Sequence, residues 1–148
     1  MGMIRPLNDA VAVAPQITPD DIPAIKAAGY VLIVNNRPDD EEPGQPTGAS
    51  IRAAVEAAGI AYAAVPVTGA GFGHPQLDAM ADALRGADGP VLAYCRSGTR
   101  SCHLWALAAA KAGRDPGLLV AQGAAAGYDL HPIGPTLDAL AAEAKPRS

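Results

Sequence analysis

The chain is poor in the residues that staple or stiffen small folds. It has two cysteines, one phenylalanine and one tryptophan among 148 residues. Cys95 and Cys102 are too few for a disulfide framework, so burial of apolar side chains has to hold the fold. With aromatics at 4%, the core is expected to be built from Ala, Val, Leu and Ile. Charge is also modest. Charged residues make up 18% and the net charge is −4, which leaves no basic footprint for nucleic acid. No apolar run reaches membrane-spanning length, and the N-terminus lacks the charged-then-apolar pattern of a secretory signal. A cytoplasmic protein with neither membrane nor nucleic acid as partner is the expectation. His74, His103 and His131 lie far apart, and no Cys/His cluster has zinc spacing, so neither a metal nor a cofactor is expected.

What is present is enough apolar sequence (49%) for one compact domain, residues 1–148, with room for a three-layer core. Residues 1–8 read as a ragged lead-in, and Val11 and Val13 mark a short strand. Thr18, Pro19, Asp20 and Asp21 form a helix start, with a hydroxyl cap, proline at the first position and acids in the first turn. That helix stops at Gly29. Residues 30–34 form a continuous apolar run, read as a strand buried on both faces. A long polar loop, residues 35–44, follows at its C-terminal end, the edge where open α/β sheets bind ligands. Ser50 is read as the cap of a helix running to Gly59, and residues 60–67 as another strand. The glycine-rich residues 68–75 lack dinucleotide spacing and read as a mobile lid or a substrate loop. Helices are expected from Pro75 to near Gly86, over residues 118–126 and over residues 135–144, with a turn at 111–117. Alternating strands and helices predict an α/β fold with a mostly parallel, three-layer sheet.

The chemistry concentrates in Tyr94-Cys95-Arg96-Ser97-Gly98-Thr99-Arg100-Ser101. Residues 91–94 read as a buried strand after a Gly-Pro break, and Leu104, Trp105, Leu107 and Ala108 as the packed face of a following helix. Between them, Gly98 lets the backbone curl, and Ser97, Thr99 and Ser101 supply hydroxyls. Successive N–H groups can converge there at a helix N-terminus, which makes an anion cradle. Cys95 stands at its mouth, where the helix dipole and Arg100 favour thiolate over thiol. A lone cysteine ending a buried strand is often only a small packed hydrophobe. Two arginines, three hydroxyls and a glycine directly after it favour a nucleophile instead. Arg96 is expected to face solvent and gather anions. Arg37 is expected either to reach the same mouth or to pair with Asp39 or Glu42. Cys102, placed about two turns into the helix, is read as packed, with a resolving-thiol role as the alternative.

The stretches Ile17-Thr18-Pro19-Asp20-Asp21, Val34-Asn35-Asn36-Arg37-Pro38-Asp39, Glu41-Glu42-Pro43, the cysteine loop and Gly127-Tyr128-Asp129-Leu130 together resemble a bacterial family. This is the family of beta-lactamase-hydrolase-like phosphatase-like domains (DUF442), also labelled sulfur transferases. The resemblance implies a dual-specificity-phosphatase-like fold. It also implies a small anionic or persulfide substrate and a sulfur-acceptor or persulfide-oxidising protein as partner, since some relatives carry a persulfide-oxidase domain.

The two labels imply different reactions. Tyrosine and dual-specificity phosphatases place five residues between cysteine and arginine, whereas here Arg100 follows Cys95 after four. The loop therefore looks like that of the rhodaneses. A phosphatase also needs a general acid, and residues 66–74 contain no Asp or Glu. His74 is the titratable candidate there. Asp39, Glu41 and Glu42 are alternatives from the other loop, read chiefly as a solvated surface. The sequence thus favours a sulfurtransferase in which Cys95 forms a persulfide. Arg100 and the loop residues Arg96, Ser97, Gly98, Thr99 and Ser101, with Arg37, would then bind substrate. The first alternative is a phosphatase acting through a Cys95 thiophosphate, with His74 or Asp39 as acid. The second is a non-catalytic anion- or persulfide-sensing module.

Overall fold

The computed structural model describes residues 3–68 and 71–144. Five strands form one sheet: β1 (Arg5–Pro6), β2 (Val11–Ala14), β3 (Leu32–Asn35), β4 (Ala61–Ala64) and β5 (Val91–Tyr94). Their order is β1-β2-β5-β3-β4. β1 is antiparallel to β2, and every other pairing is parallel. The helices are α1 (Ile22–Ala27, after a 3-10 turn at Pro19–Asp21), α2 (Gly48–Ala57), α3 (His74–Arg85), α4 (Thr99–Lys111), α5 (Pro116–Ala125) and α6 (Gly134–Ala144).

The three layers follow from strand alternation. Successive side chains of a strand point to opposite faces. In β5, Val91 and Ala93 join one apolar cluster, with Val11, Val13, Leu32 and Val34 from the neighbouring strands and Leu104, Trp105 and Leu107 from α4. Leu92 and Tyr94 point the other way, into a cluster with Ala12, Ala14, Ile33, Ile25, Ile51 and Val55. The sheet is therefore covered on both sides, as expected for an α/β fold of phosphatase type. β5 lies in the middle of it, flanked by β2 and β3. Its C-terminal end delivers Cys95 to the edge where the parallel strands stop.

Several element boundaries differ from the sequence reading. The lead-in holds a strand, β1, because Arg5 and Pro6 pair with Val13 and Ala12. The cap of α2 is Thr47, whose hydroxyl accepts from the Ser50 backbone N–H at 3.1 Å. Ser50 instead lies inside the first turn. Helices α5 and α6 begin at Pro116 and Gly134, since proline is well suited to the first turn of each. Of the glycine-rich stretch, Gly69 and Ala70 lie outside the described residues.

Candidate active site

The site begins where β5 ends. The Cys95 N–H donates to the Ala14 carbonyl at 3.4 Å, and Asn36 N–H donates to the Tyr94 carbonyl at 2.8 Å. The neighbouring strands thus fix the entry to the loop. Gly98 then turns the chain with φ +94° and is the residue before α4. That conformation places the Gly98 N–H 3.1 Å from Cys95 Sγ, as a donor to the sulfur. Ser97 Oγ donates to Thr99 Oγ1 at 3.1 Å and accepts from Thr99 N–H at 3.4 Å. The first residues of α4, Thr99, Arg100 and Ser101, carry N–H groups with no acceptor inside the helix. They lie where the positive end of the helix dipole falls. Ser101 is fully buried, and its hydroxyl has no partner among the described residues.

The C-terminal part of the chain closes this loop from outside. Tyr128 Oη donates to the Ser97 carbonyl at 3.2 Å. It sits so close to Gly98 that no Cβ could be accommodated there. Tyr128 thus fixes the peptide whose N–H meets the cysteine sulfur. Its role was not legible in the sequence beyond the family motif that contains it.

Arg100 is partly buried behind the loop. It donates to Glu41 through both terminal nitrogens, at 2.8 and 2.7 Å, and to the Val67 carbonyl at 2.9 Å. Its guanidinium is held above its ordinary value first by that carboxylate, and in smaller part by the Cys95 sulfur that also faces it. Glu41 is correspondingly held below the ordinary carboxylate value, chiefly by Arg100 and then by Arg37.

Arg37 does not open to the mouth as a free substrate ligand. It is buried, with Nε 2.9 Å from Glu41 and one terminal nitrogen 3.0 Å from Gln16 Oε1. The other terminal nitrogen is 3.4 Å from Glu42. Of the two expectations for Arg37 the structural ion pair holds, with Glu41 and Glu42 as partners in place of Asp39. Arg96 faces solvent as expected, but it is also paired, with Nε 2.5 Å from Glu42. Gln16 ties these parts together, because its N–H donates to the Arg96 carbonyl at 3.2 Å.

The two expected acids are not brought to the cysteine. Asp39 accepts from Gly48 N–H at 2.8 Å and so serves the N-terminus of α2, where an acceptor carboxylate is favourable. It lines a cleft with Arg52, Tyr62 and Thr68. His74 is 2.8 Å from Lys111 Nζ, at the far end of α4. Lys111 lies eleven positions along the helix from Arg100, a rise of roughly 16 Å. Cys102 lies one turn into α4, not two, and is fully buried in the apolar cluster. Burial pushes its thiol up to about 12, with a smaller contribution from the charge of Cys95. A thiol that reluctant to ionise is a packed side chain and a poor resolving partner. Glu41, which the sequence assigned mainly to a solvated surface, is the carboxylate that the fold brings to the arginine of the loop. No group of three or more His, Cys, Asp or Glu side chains suited to a metal occurs among the described residues.

A model of the phosphatase-like domain of beta-lactamase hydrolase-like proteins matches residues 3–112, which include the whole cysteine loop. The chain belongs to this family. A beta-lactamase hydrolase-like protein of Agrobacterium fabrum is 38% identical over 108 residues, 73% of this chain and 25% of that protein. The chain therefore spans about a quarter of the length of that curated relative. A solved structure of a candidate phosphatase from Neisseria meningitidis superposes with a TM-score of 0.81 at 33% identity, covering 93% of this chain and 97% of that one. The structure of PTPMT1 superposes at 0.70 with 10% identity, covering 96% and 98%, which speaks to the fold alone. The fold and the family of this phosphatase-like domain are thus fixed. The descriptions of the family and of the Neisseria protein lean toward phosphatase chemistry and away from the sulfur transfer that the sequence favoured. No helix among the described residues is long and apolar enough to cross a membrane.

Proposed function

We propose that this phosphatase-like domain is a cysteine-dependent hydrolase of phosphate monoesters, with Cys95 as the nucleophile. The observation that carries the reading is the Gly98 N–H directed at Cys95 Sγ from 3.1 Å, at the N-terminus of a helix with Arg100 alongside. That arrangement suits the binding of an anion beside the cysteine sulfur. In the first step the Cys95 thiolate attacks phosphorus, a sulfur–phosphorus bond forms, and the ester oxygen leaves with the bonding electrons. Water then attacks the thiophosphate, releasing inorganic phosphate and restoring the thiolate. Loop N–H groups and Arg100 hold the equatorial oxygens through both steps. The buried, unpartnered Ser101 hydroxyl supports this reading. An orphan of that kind costs roughly 1–3 kcal/mol, and a substrate oxygen or the thiolate would satisfy it. With neither His74 nor Asp39 at the loop, aryl phosphates, whose leaving groups need little protonation, are the expected substrates rather than alkyl phosphates.

Sulfur transfer is the second reading, favoured by the four-residue spacing between Cys95 and Arg100 and by the lack of any Asp or Glu in residues 66–74. Here the thiolate attacks the outer sulfur of thiosulfate and sulfite departs. An acceptor thiolate then takes that sulfur from the Cys95 persulfide and regenerates Cys95. Intact-mass analysis after incubation with thiosulfate, run beside release of phosphate from an aryl phosphate, separates the two. Steady phosphate release that disappears in Cys95→Ser supports the phosphatase. A gain of about one sulfur mass on Cys95 without phosphate release overturns it in favour of sulfur transfer.

A further inference from the structure

Asn36 follows the last residue of β3 and is fully buried. β3 and β5 run in register with Asn35 opposite Tyr94, so Asn36 lies alongside Cys95. Its backbone N–H donates to the Tyr94 carbonyl at 2.8 Å. Its side chain reaches the segment that follows β4, where Nδ2 donates to the Val65 carbonyl at 2.9 Å. A carbonyl can only accept, so the nitrogen of the amide is the atom that faces Val65. Two further bonds pin the same segment. Val65 N–H donates to the Asn35 carbonyl at 2.9 Å, and Val67 N–H to the Asn36 carbonyl at 3.0 Å. The Val67 carbonyl in turn accepts from Arg100 Nη1 at 2.9 Å. Asn36 therefore connects the strand that ends in the cysteine with a backbone acceptor of the loop arginine.

The other half of the Asn36 amide is an orphan, since Oδ1 is buried and has no hydrogen-bond partner among the described residues. A buried carbonyl in that state destabilises the fold, and an apolar side chain of the same shape would avoid it. Space filling thus does not account for an asparagine here, whereas the bond from Nδ2 does. We propose that Asn36 is a positioning residue of the candidate site: it fixes residues 65–67, so that the Val67 carbonyl sets the direction in which Arg100 meets an incoming anion. This rests on Arg100 being the anion-binding group of the reaction proposed above. Glu41 also accepts from Arg100, but its side chain has rotatable bonds and can follow the guanidinium. The pinned Val67 carbonyl cannot. A guanidinium is a planar fork whose hold on an oxyanion depends on its orientation. A turn of the Val67 peptide is therefore felt as weaker anion binding, with the charge of the arginine unchanged.

The test replaces Asn36 by leucine, which keeps the γ-branched shape and removes both halves of the amide. Deleting the orphan Oδ1 and stranding the Val65 carbonyl act in opposite directions on stability, so the fold is expected to tolerate the change. Anion binding is read as the concentration of tungstate, a tetrahedral dianion, that half-protects Cys95 from iodoacetamide, with the alkylated peptide identified by mass spectrometry. Each variant is normalised to its own unprotected rate. If Asn36 acts through Arg100, Asn36→Leu raises that concentration by about fivefold or more, but by less than about twofold in a protein that already carries Arg100→Ala. The same factor in both backgrounds marks a merely structural role and overturns the proposal, as does an unchanged concentration with Arg100 in place. Should Asn36→Leu not fold, Asn36→Ala, which brings no added bulk, is read in the same way. The single variants keep the two readings apart. If Arg100→Ala weakens protection and Asn36→Leu does not, only the positioning role falls. If Arg100→Ala leaves protection unchanged, Arg100 does not bind the anion and both readings fall. The readout needs no turnover, so it applies to phosphoryl and sulfur transfer alike.

Discussion

Replacing Gly98 by alanine strikes the point at which the loop, the helix and the C-terminal segment meet. The backbone there has φ +94°, a region in which an L-residue with a Cβ loses roughly 1–2 kcal/mol. The added methyl would overlap the Tyr128 hydroxyl and lie 3.0 Å from its Cζ and 3.4 Å from the Ala14 carbonyl carbon. Ala14 belongs to β2 and cannot withdraw, so Tyr128 has to move and give up its bond to the Ser97 carbonyl, worth about 1 kcal/mol. Together these come to about 2–3 kcal/mol, and in a chain of this size each kcal/mol lowers the melting temperature by roughly 2–4 °C. Gly98→Ala should therefore melt about 5–10 °C lower by circular dichroism. It should also alkylate more slowly at Cys95, because the peptide N–H that faces the sulfur is displaced. The double variant with Tyr128→Ala separates the two contributions. Without the ring the overlap disappears, so the double variant should be more stable than additivity allows by about 1 kcal/mol. An unchanged melting temperature in Gly98→Ala, or strict additivity in the double variant, would refute the claim that Tyr128 clamps this peptide.

Further outcomes follow from the same geometry. Cys95→Ser should remove turnover of aryl phosphate while leaving the melting temperature within a few degrees, and activity retained in full would exclude Cys95 as nucleophile. Arg100→Lys keeps the charge but loses the planar fork, so KM should rise by about tenfold or more in steady-state assays. An unchanged KM would remove Arg100 from substrate binding. Arg37→Ala deletes a buried guanidinium that serves Glu41, Gln16 and Glu42, and should cost about 2 kcal/mol in urea unfolding. Because Glu41 in the fold stays ionised below its ordinary value of 4.5, its stabilising contribution is fully present above that value and is lost as pH falls through the depressed one. Acid titration followed by circular dichroism should therefore show a shallower loss of stability below pH 4.5 in Glu41→Gln than in the unmodified protein, and identical acid limbs would contradict the pairing.

The parts of this molecule legible in the sequence are those whose causes are local. Residues 91–94 announce a buried strand through their apolar run and the Gly-Pro break, and the period of two then assigns Val91 and Ala93 to one layer and Leu92 and Tyr94 to the other. The cysteine loop is legible for the same reason, since its cysteine, glycine, hydroxyls and arginine are contiguous. β1 has no such signal. Arg5 and Pro6 are exposed and are a strand only because β2 lies beside them. The cap of α2 was misplaced by three residues because Thr47 and Ser50 are both good caps. The hydrogen bond that chooses Thr47 uses one as side chain and the other as backbone donor.

The charges around the site were the least legible part, and the reason is geometric. Asp39, Glu41 and Glu42 stand within four residues of one another, and composition gives each the same chance of reaching the cysteine. The left-handed turn at Asp40 decides between them. It leaves Asp39 on the N-terminus of α2 and carries Glu41 back over Arg100, a residue 59 positions away in sequence. Arg96 and Arg100, read in the sequence as cations for an incoming anion, are both paired, and the positive field at the mouth is smaller than the composition suggests, because Glu41 and Glu42 engage these two arginines and Arg37 as well. The same pairing bears on either reading of the chemistry, because the guanidinium that would meet an incoming anion is held in direction by Glu41 and the Val67 carbonyl whichever group is transferred.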